Sequence, residues 1–152
     1  MKKPSILVSA CLLGVCCRYD GDSKPCESVV ALRERFVLVP ICPEVDGGLP
    51  TPRTPSERVG DRVLMRDGKD VSENYMKGAV EALRKAELFG CTAAILKARS
   101  PSCGKGKIYD GSFSGKLTER HGVAAELLMK NGIEVYTEDE TDLLIKKYLD
   151  KA

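Results

Sequence analysis

The sequence predicts an α/β fold: a mainly parallel four-stranded sheet with helices on both faces, plus a small β-hairpin insertion. Two observations carry the prediction. Short apolar runs at Ile6–Ala10, Phe36–Ile41, Thr92–Leu96 and Ile133–Tyr136 have the length and continuity of strands buried on both faces. Segments of helical periodicity separate them, and strands joined through helices build right-handed crossovers and a parallel sheet.

The elements follow in order. After Ile6–Ala10, Ser23 and Pro25 signal a helix start, with Val29, Val30, Leu32 and Phe36 as its apolar face. The second strand ends in Cys42-Pro43-Glu44. Val45–Ser56 holds Gly47, Gly48, Pro50, Pro52 and Pro55, which excludes helix and central strand and predicts an ordered loop near a site or a flap over one. Arg58–Val71, with Gly60-Asp61 and Asp67-Gly68 at its turns, reads as the hairpin.

Asp70 and Glu73 form a capping pair for a long helix carrying Val71, Tyr75, Ala79, Val80, Leu83 and Ala86 at helical spacing, and Gly90 stops it. The loop Lys97–Gly106 follows the third strand, and Tyr109–Gly115 is loop again. A helix is expected over Leu117–Lys130, with His121 inside it and Asn131-Gly132 at its end. Thr141–Leu149 closes the chain as an amphipathic helix with Leu144, Ile145, Tyr148 and Leu149 inward.

Length and composition bound the function. Residues 1–152 suit one domain, which at this size buries roughly 70% of the surface its unfolded chain exposes. Lys and Arg number 24 against 22 Asp and Glu, with no basic block, so no duplex nucleic acid partner is expected. Seven irregularly placed cysteines do not form a secreted disulfide framework and point to a reducing, cytoplasmic setting. Val8-Ser9-Ala10-Cys11 has the form of a lipoprotein cleavage box. The apolar run before it begins only at Ile6, whereas a signal peptide needs about 7–15 apolar residues, so it reads as a core strand. No run approaches the ~18 apolar residues of a membrane span, and a soluble protein is expected.

Ligands of parallel sheets bind beyond the carboxyl ends of the strands. Cys11, Cys42 and Cys103 each follow a different expected strand, so three thiols converge from distant sequence positions. Buried cysteine is also a small hydrophobe, which accounts for Cys91 and Cys26. It does not account for the shared position of the other three, which suits a thiolate-bound metal. The paired Cys-x-x-Cys spacing of structural zinc sites is absent. Cys16 and Cys17 are adjacent, and neighbours in an extended segment point in opposite directions, so one of them at most reaches the centre.

Three stretches together resemble a known family: Ser9-Ala10-Cys11-Leu12-Leu13-Gly14 with Cys17–Gly21; Cys42-Pro43-Glu44 with Gly47–Arg53; and Arg99-Ser100-Pro101-Ser102-Cys103-Gly104. They are similar to the bacterial domain family that includes the thiouracil desulfidases, in its short, single-domain form, and the resemblance runs through nearly the whole chain. It implies a [4Fe–4S] cluster held by Cys11, Cys42 and Cys103, with one iron not bound by protein and free to take the sulfur of a thiolated pyrimidine. It implies Glu44 and Ser100 as catalytic residues, and leaves open whether Cys17 ligates iron.

The implied chemistry is coherent. A soft thiocarbonyl sulfur suits an open iron, a Lewis acid makes the ring carbon electrophilic, and water converts C=S to C=O with sulfide release and no net redox change. Glu44, two residues from a cysteine, is set to move protons. Arg53, Arg58 and Arg99 are candidates to orient the ligand, or ordinary surface charges. Two other classes compete: a thiol-redox enzyme using Cys16–Cys17 or Cys11, and a non-enzymatic metal- or sulfur-binding module.

Overall fold

The computed structural model describes residues 3–150. Four parallel strands, β1 (Ser5–Ser9), β2 (Val37–Ile41), β5 (Ala93–Leu96) and β8 (Glu134–Thr137), form one sheet in the order β2-β1-β5-β8. Its register pairs Leu7 with Val39 and Ala94, and Ala94 with Val135. The central strands are apolar on both faces because both are covered. Leu7, Ala94 and Leu96 pack under α3 (Ser72–Phe89) and α4 (Val123–Lys130) through Ala82, Ala86, Ala125 and Leu128. Ile6, Val8, Ala93 and Ile95 face α1 (Glu27–Val30), the 3-10 turn Ala31–Glu34 and α5 (Thr141–Asp150) through Val29, Leu32 and Leu144. The expected α/β architecture with helices on both faces is therefore present.

The hairpin is β3 (Ser56–Val59) and β4 (Arg62–Met65), turning at Gly60-Asp61 as expected and starting two residues earlier. A second hairpin was not foreseen. Residues Lys107–Tyr109 (β6) pair with Leu117–Glu119 (β7), so Leu117 lies on a strand and the helix expected over Leu117–Lys130 begins only at Val123. Gly122 sets that boundary: it is extended, its N–H donates to the Gly104 carbonyl, and a Cβ on it would lie 2.6 Å from the Ser102 backbone. His121 accordingly sits in a loop, and its Nδ1 accepts from the Gly106 N–H.

Other boundaries moved for local reasons. The first helix starts at Glu27, after Pro25, with Cys26 as its N-cap. β2 is an edge strand, and Val37 is exposed. Asp70 and Glu73 form no capping box; Asp70 instead accepts from Ser72 N–H, and the Ser72 hydroxyl accepts from Val63 N–H. On α3 the buried positions are Tyr75, Gly78, Ala79, Ala82 and Ala86, while Val80 is exposed. The box was real before α5: Thr137 accepts from Asp139 N–H and Glu140 reaches back to Thr137 N–H. Leu144 is buried on α5, whereas the Leu149 side chain lies outside the described residues.

Breakers did not wholly exclude helix after Cys42. Pro43 at the first helical position opens a one-turn helix, α2 (Pro43–Asp46), with Cys42 as its N-cap. This turn is locked to α3 backbone against backbone. A Cβ on Gly78 would lie 1.7 Å from the Pro43 carbonyl oxygen, and one on Gly47 would lie 2.0 Å from the Asn74 carbonyl oxygen. The Asn74 side chain adds a 2.9 Å hydrogen bond to the Gly47 carbonyl.

Gly78→Ala tests this lock, because two effects oppose each other. Helix propensity alone would stabilise the variant by about 1 kcal/mol, whereas the collision should destabilise it by about 1–3 kcal/mol or more. A lowered urea midpoint is expected; a raised one would contradict the close approach.

Candidate functional site

Three loops bring the chemistry together at the carboxyl ends of β1, β2 and β5. Cys11 sits in the 3-10 turn Ala10–Leu13 directly after β1, Cys42 directly after β2, and Cys103 in the turn beyond β5. Cys17 joins them from the segment that follows Gly14, whose positive φ of 94° turns the chain. The expectation for the adjacent pair held: Cys17 is buried and Cys16 exposed. Cys91 is buried under α3 and Cys26 is half-buried, both in apolar surroundings.

The four central thiols perturb one another. Burial, then the Cys42 charge, pushes the Cys11 thiol up to about 11. Burial is also the main cause that takes Cys103 up to about 12, with the Cys11 and Cys42 charges adding to it. The Cys42 thiol donates to the Cys17 carbonyl at 3.7 Å, and the interaction between the two thiols lowers Cys42 and raises Cys17. Burial favours the neutral form of Cys11 and Cys103, and such thiols ionise when a metal replaces their protons. Among the described residues no three His, Cys, Asp or Glu side chains are close enough to hold one ion. Sulfur is the soft donor that an iron–sulfur cluster takes.

Glu44 stands on α2 beside the thiols, half-buried, with both oxygens engaged. Oε1 accepts from Arg53 Nε at 3.1 Å and Oε2 from the Ser102 hydroxyl at 3.0 Å. The Tyr75 hydroxyl is buried next to Glu44 and Ser56 but makes no well-formed hydrogen bond, and burial followed by the Glu44 charge pushes it well above its usual range. Ser100 Oγ lies 3.0 Å from Ser102 Oγ and accepts from the backbone N–H groups of Ser102 and Cys103 at 3.1 Å each. Arg99 before it has φ 67°, a left-handed residue that turns the loop inward from β5.

Arg53 is no surface charge. Its guanidinium, with the side chain 3% exposed, donates to Glu44, to the Pro50 carbonyl, to Thr51 Oγ1 and, at 2.9 Å, to the Cys17 carbonyl. It ties the loop after α2, which is ordered, to the Cys17 segment, and the Arg53 N–H to Tyr19 carbonyl bond reinforces the tie. Arg58 is likewise buried, paired with Glu126 and the His121 carbonyl. Arg99 is exposed and, with Lys105, Arg120 and His121, lines a cavity of about 730 Å³ next to the Cys103 loop; none of the thiols lines it.

A sequence profile described as 2-thiouracil desulfurase matches residues 6–140. The chain belongs to this family. Within the 2-thiouracil desulfurase family match lie all three loops of the site. The chain is 42% identical over 145 residues to the uncharacterized protein YbbK of Bacillus subtilis strain 168, covering 89% of this chain and 96% of that protein. Its fold is similar to the solved structure of the [4Fe–4S]-dependent thiouracil desulfidase TudS, with a TM-score of 0.90 and 43% identity, over 97% of this chain and 99% of that one.

Sequence reading of this desulfurase chain brought Cys11, Cys42, Cys103, Glu44 and Ser100 to one place and overlooked Ser102 and Tyr75. Tyr75 reads as one more apolar helix position. Ser102, between Pro101 and Cys103, reads as a turn residue; its placement one residue from a cysteine was the available signal.

Arg53→Met should remove the charge partner of Glu44 and leave Ser102 as the carboxylate's remaining donor, costing about 3–5 kcal/mol in urea unfolding. Arg53→Lys keeps the charge without the fan of donors to Glu44, Pro50, Thr51 and Cys17 and should recover only part of that loss. A Lys variant as stable as the wild type would contradict the role of the whole guanidinium.

Proposed function

We propose that this chain is an iron–sulfur-dependent desulfidase that converts the C=S of a 2-thiouracil-like pyrimidine to C=O with release of sulfide and no net redox change. The observation that carries the reading is the meeting of Cys11, Cys42 and Cys103 with the Glu44 and Ser100 pair at the carboxyl ends of three parallel strands. Membership of the 2-thiouracil desulfurase family and the likeness to TudS, itself [4Fe–4S]-dependent, support it.

In this reading Cys11, Cys42 and Cys103 hold a [4Fe–4S] cluster and one iron keeps a position that no protein residue fills. Such a cluster supplies, when bound, a soft Lewis acid for the thiocarbonyl sulfur. The remaining work falls to the chain. Glu44, held by Arg53, is the proton acceptor for the attacking water and the donor that returns the proton on product formation. Ser100, whose oxygen is held by two backbone N–H groups, touches the water or the pyrimidine carbonyl. Cys17 stays a thiol beside Cys42, to which its backbone carbonyl is hydrogen-bonded. The protein works as a single domain over residues 1–152 on a small thiolated base, with no duplex nucleic acid or membrane partner. A cytoplasmic, reducing setting suits its free cysteines. Among the described residues no helix is long and apolar enough to cross a membrane.

Anaerobic reconstitution followed by iron, acid-labile sulfide and 2-thiouracil assays tests this. About four irons per chain are expected, lost together with turnover in Cys11→Ala, Cys42→Ala and Cys103→Ala. Glu44→Gln and Ser100→Ala should keep the iron and lose roughly 100-fold or more of kcat. A chain that binds iron but leaves 2-thiouracil unchanged has another substrate. One that binds no iron refutes the mechanism and favours thiol-redox chemistry, with Cys17 and Cys42 rather than Cys16 as the reactive pair.

A further inference from the structure

Ser102 has no part in the reading above, yet its hydroxyl lies between the two proposed catalytic side chains. It is 2% exposed, donates to Glu44 Oε2 at 3.0 Å and lies 3.0 Å from Ser100 Oγ. A third neighbour, Cys103 Sγ, is 3.7 Å away. One hydrogen cannot serve all three. Glu44 and Ser100 are equally near and Cys103 is farther, and the carboxylate is the stronger acceptor, so the Ser102 hydrogen belongs to Glu44.

That assignment fixes the next hydrogen. With its own hydrogen donated, Ser102 Oγ can only accept from Ser100, so the Ser100 hydroxyl donates to Ser102. Ser100 Oγ meanwhile accepts the N–H groups of Ser102 and Cys103, both at 3.1 Å. Two backbone donors on one hydroxyl oxygen favour negative charge there, the arrangement that stabilises oxyanions elsewhere. The hydrogens therefore run one way, from Ser100 through Ser102 to Glu44, and Ser100 Oγ, with both lone pairs taken, anchors the head of the chain.

We infer that Ser102 is a positioning residue that holds Glu44 Oε2 in place to take the proton of the attacking water directly. The inference rests on the desulfidase reading. The step balances without any added reagent: water gives a proton to the lone pair of Glu44 Oε2 that Ser102 leaves free, and the Ser102 hydroxyl keeps its own hydrogen. The oxygen of water keeps the electron pair of the broken O–H bond and forms the bond to the ring carbon. The reverse transfer returns the proton from Glu44 when the sulfide leaves. Arg53 on the opposite carboxylate oxygen leaves Oε2 as the receiving atom.

The test uses cluster-loaded wild type, Ser102→Ala and Ser102→Thr, with iron content, kcat and KM for 2-thiouracil, and the infrared carboxylate stretch. Ser102→Ala should keep its iron and a KM within about twofold, lose roughly 100-fold or more of kcat, and shift a carboxylate band. The same substitution in a Glu44→Gln background should shift no such band. Ser102→Thr restores a hydroxyl and should restore both kcat and band. An unshifted band, a kcat near that of wild type, or a band restored by Thr without kcat overturns the positioning role. So does loss of iron in Ser102→Ala, which would make Ser102 a support for Cys103. Wild type carrying a full cluster but leaving 2-thiouracil unchanged overturns the substrate reading instead, and the hold of Ser102 on Glu44 then stands or falls on the infrared band.

Discussion

The backbone contact between α2 and α3 is the constraint on which the site depends. Gly78 and Gly47 let the Pro43 and Asn74 carbonyls approach where any Cβ would collide. The contact fixes a one-turn helix too short to be stable alone, and that turn carries Glu44 with Cys42 as its N-cap. α3 in turn lies on the sheet whose strand ends deliver Cys11 and Cys103. The relative positions of carboxylate and thiols thus descend from two missing side chains, one of them in the middle of a helix where glycine is otherwise unfavourable.

Arg53 performs the same task with charge. One buried guanidinium closes the Pro-rich loop, orients Glu44 and holds the Cys17 carbonyl. Burying such a group is costly unless every donor finds a partner, and here carbonyl, hydroxyl and carboxylate oxygens surround it. The resulting site is prepared from both sides: the buried Cys11 and Cys103 thiols on one, and on the other a carboxylate with one oxygen held by Arg53 and the other by Ser102.

Much of this was legible in the sequence, for identifiable reasons. Ile6–Val8 and Ala93–Leu96 are uninterrupted apolar runs because their strands are covered twice, and that continuity pointed to both the parallel sheet and the convergence of Cys11, Cys42 and Cys103. What failed was decided by tertiary contacts. Leu117–Glu119 carries a helical-looking pattern but pairs with Lys107–Tyr109, and Gly122 breaks the periodicity because Ser102 occupies the space of a side chain. Val80 has the spacing of a core residue, yet the buried face of α3 is built on Tyr75, Gly78, Ala79, Ala82 and Ala86 instead. Ser102 could not be assigned from spacing, since only the fold brings Glu44, 58 residues away, to its hydroxyl.

The central claim is that Cys11, Cys42 and Cys103 gather to hold one cluster while Cys17 stands beside it as a thiol. An anaerobic crystal structure of the reconstituted protein, with anomalous differences measured at the iron edge, tests it most directly. The account predicts iron density within bonding distance of the Sγ atoms of Cys11, Cys42 and Cys103, and none bonded to Cys17. Iron bonded to Cys17 in place of one of the three, or a single ion among the thiols, would contradict it.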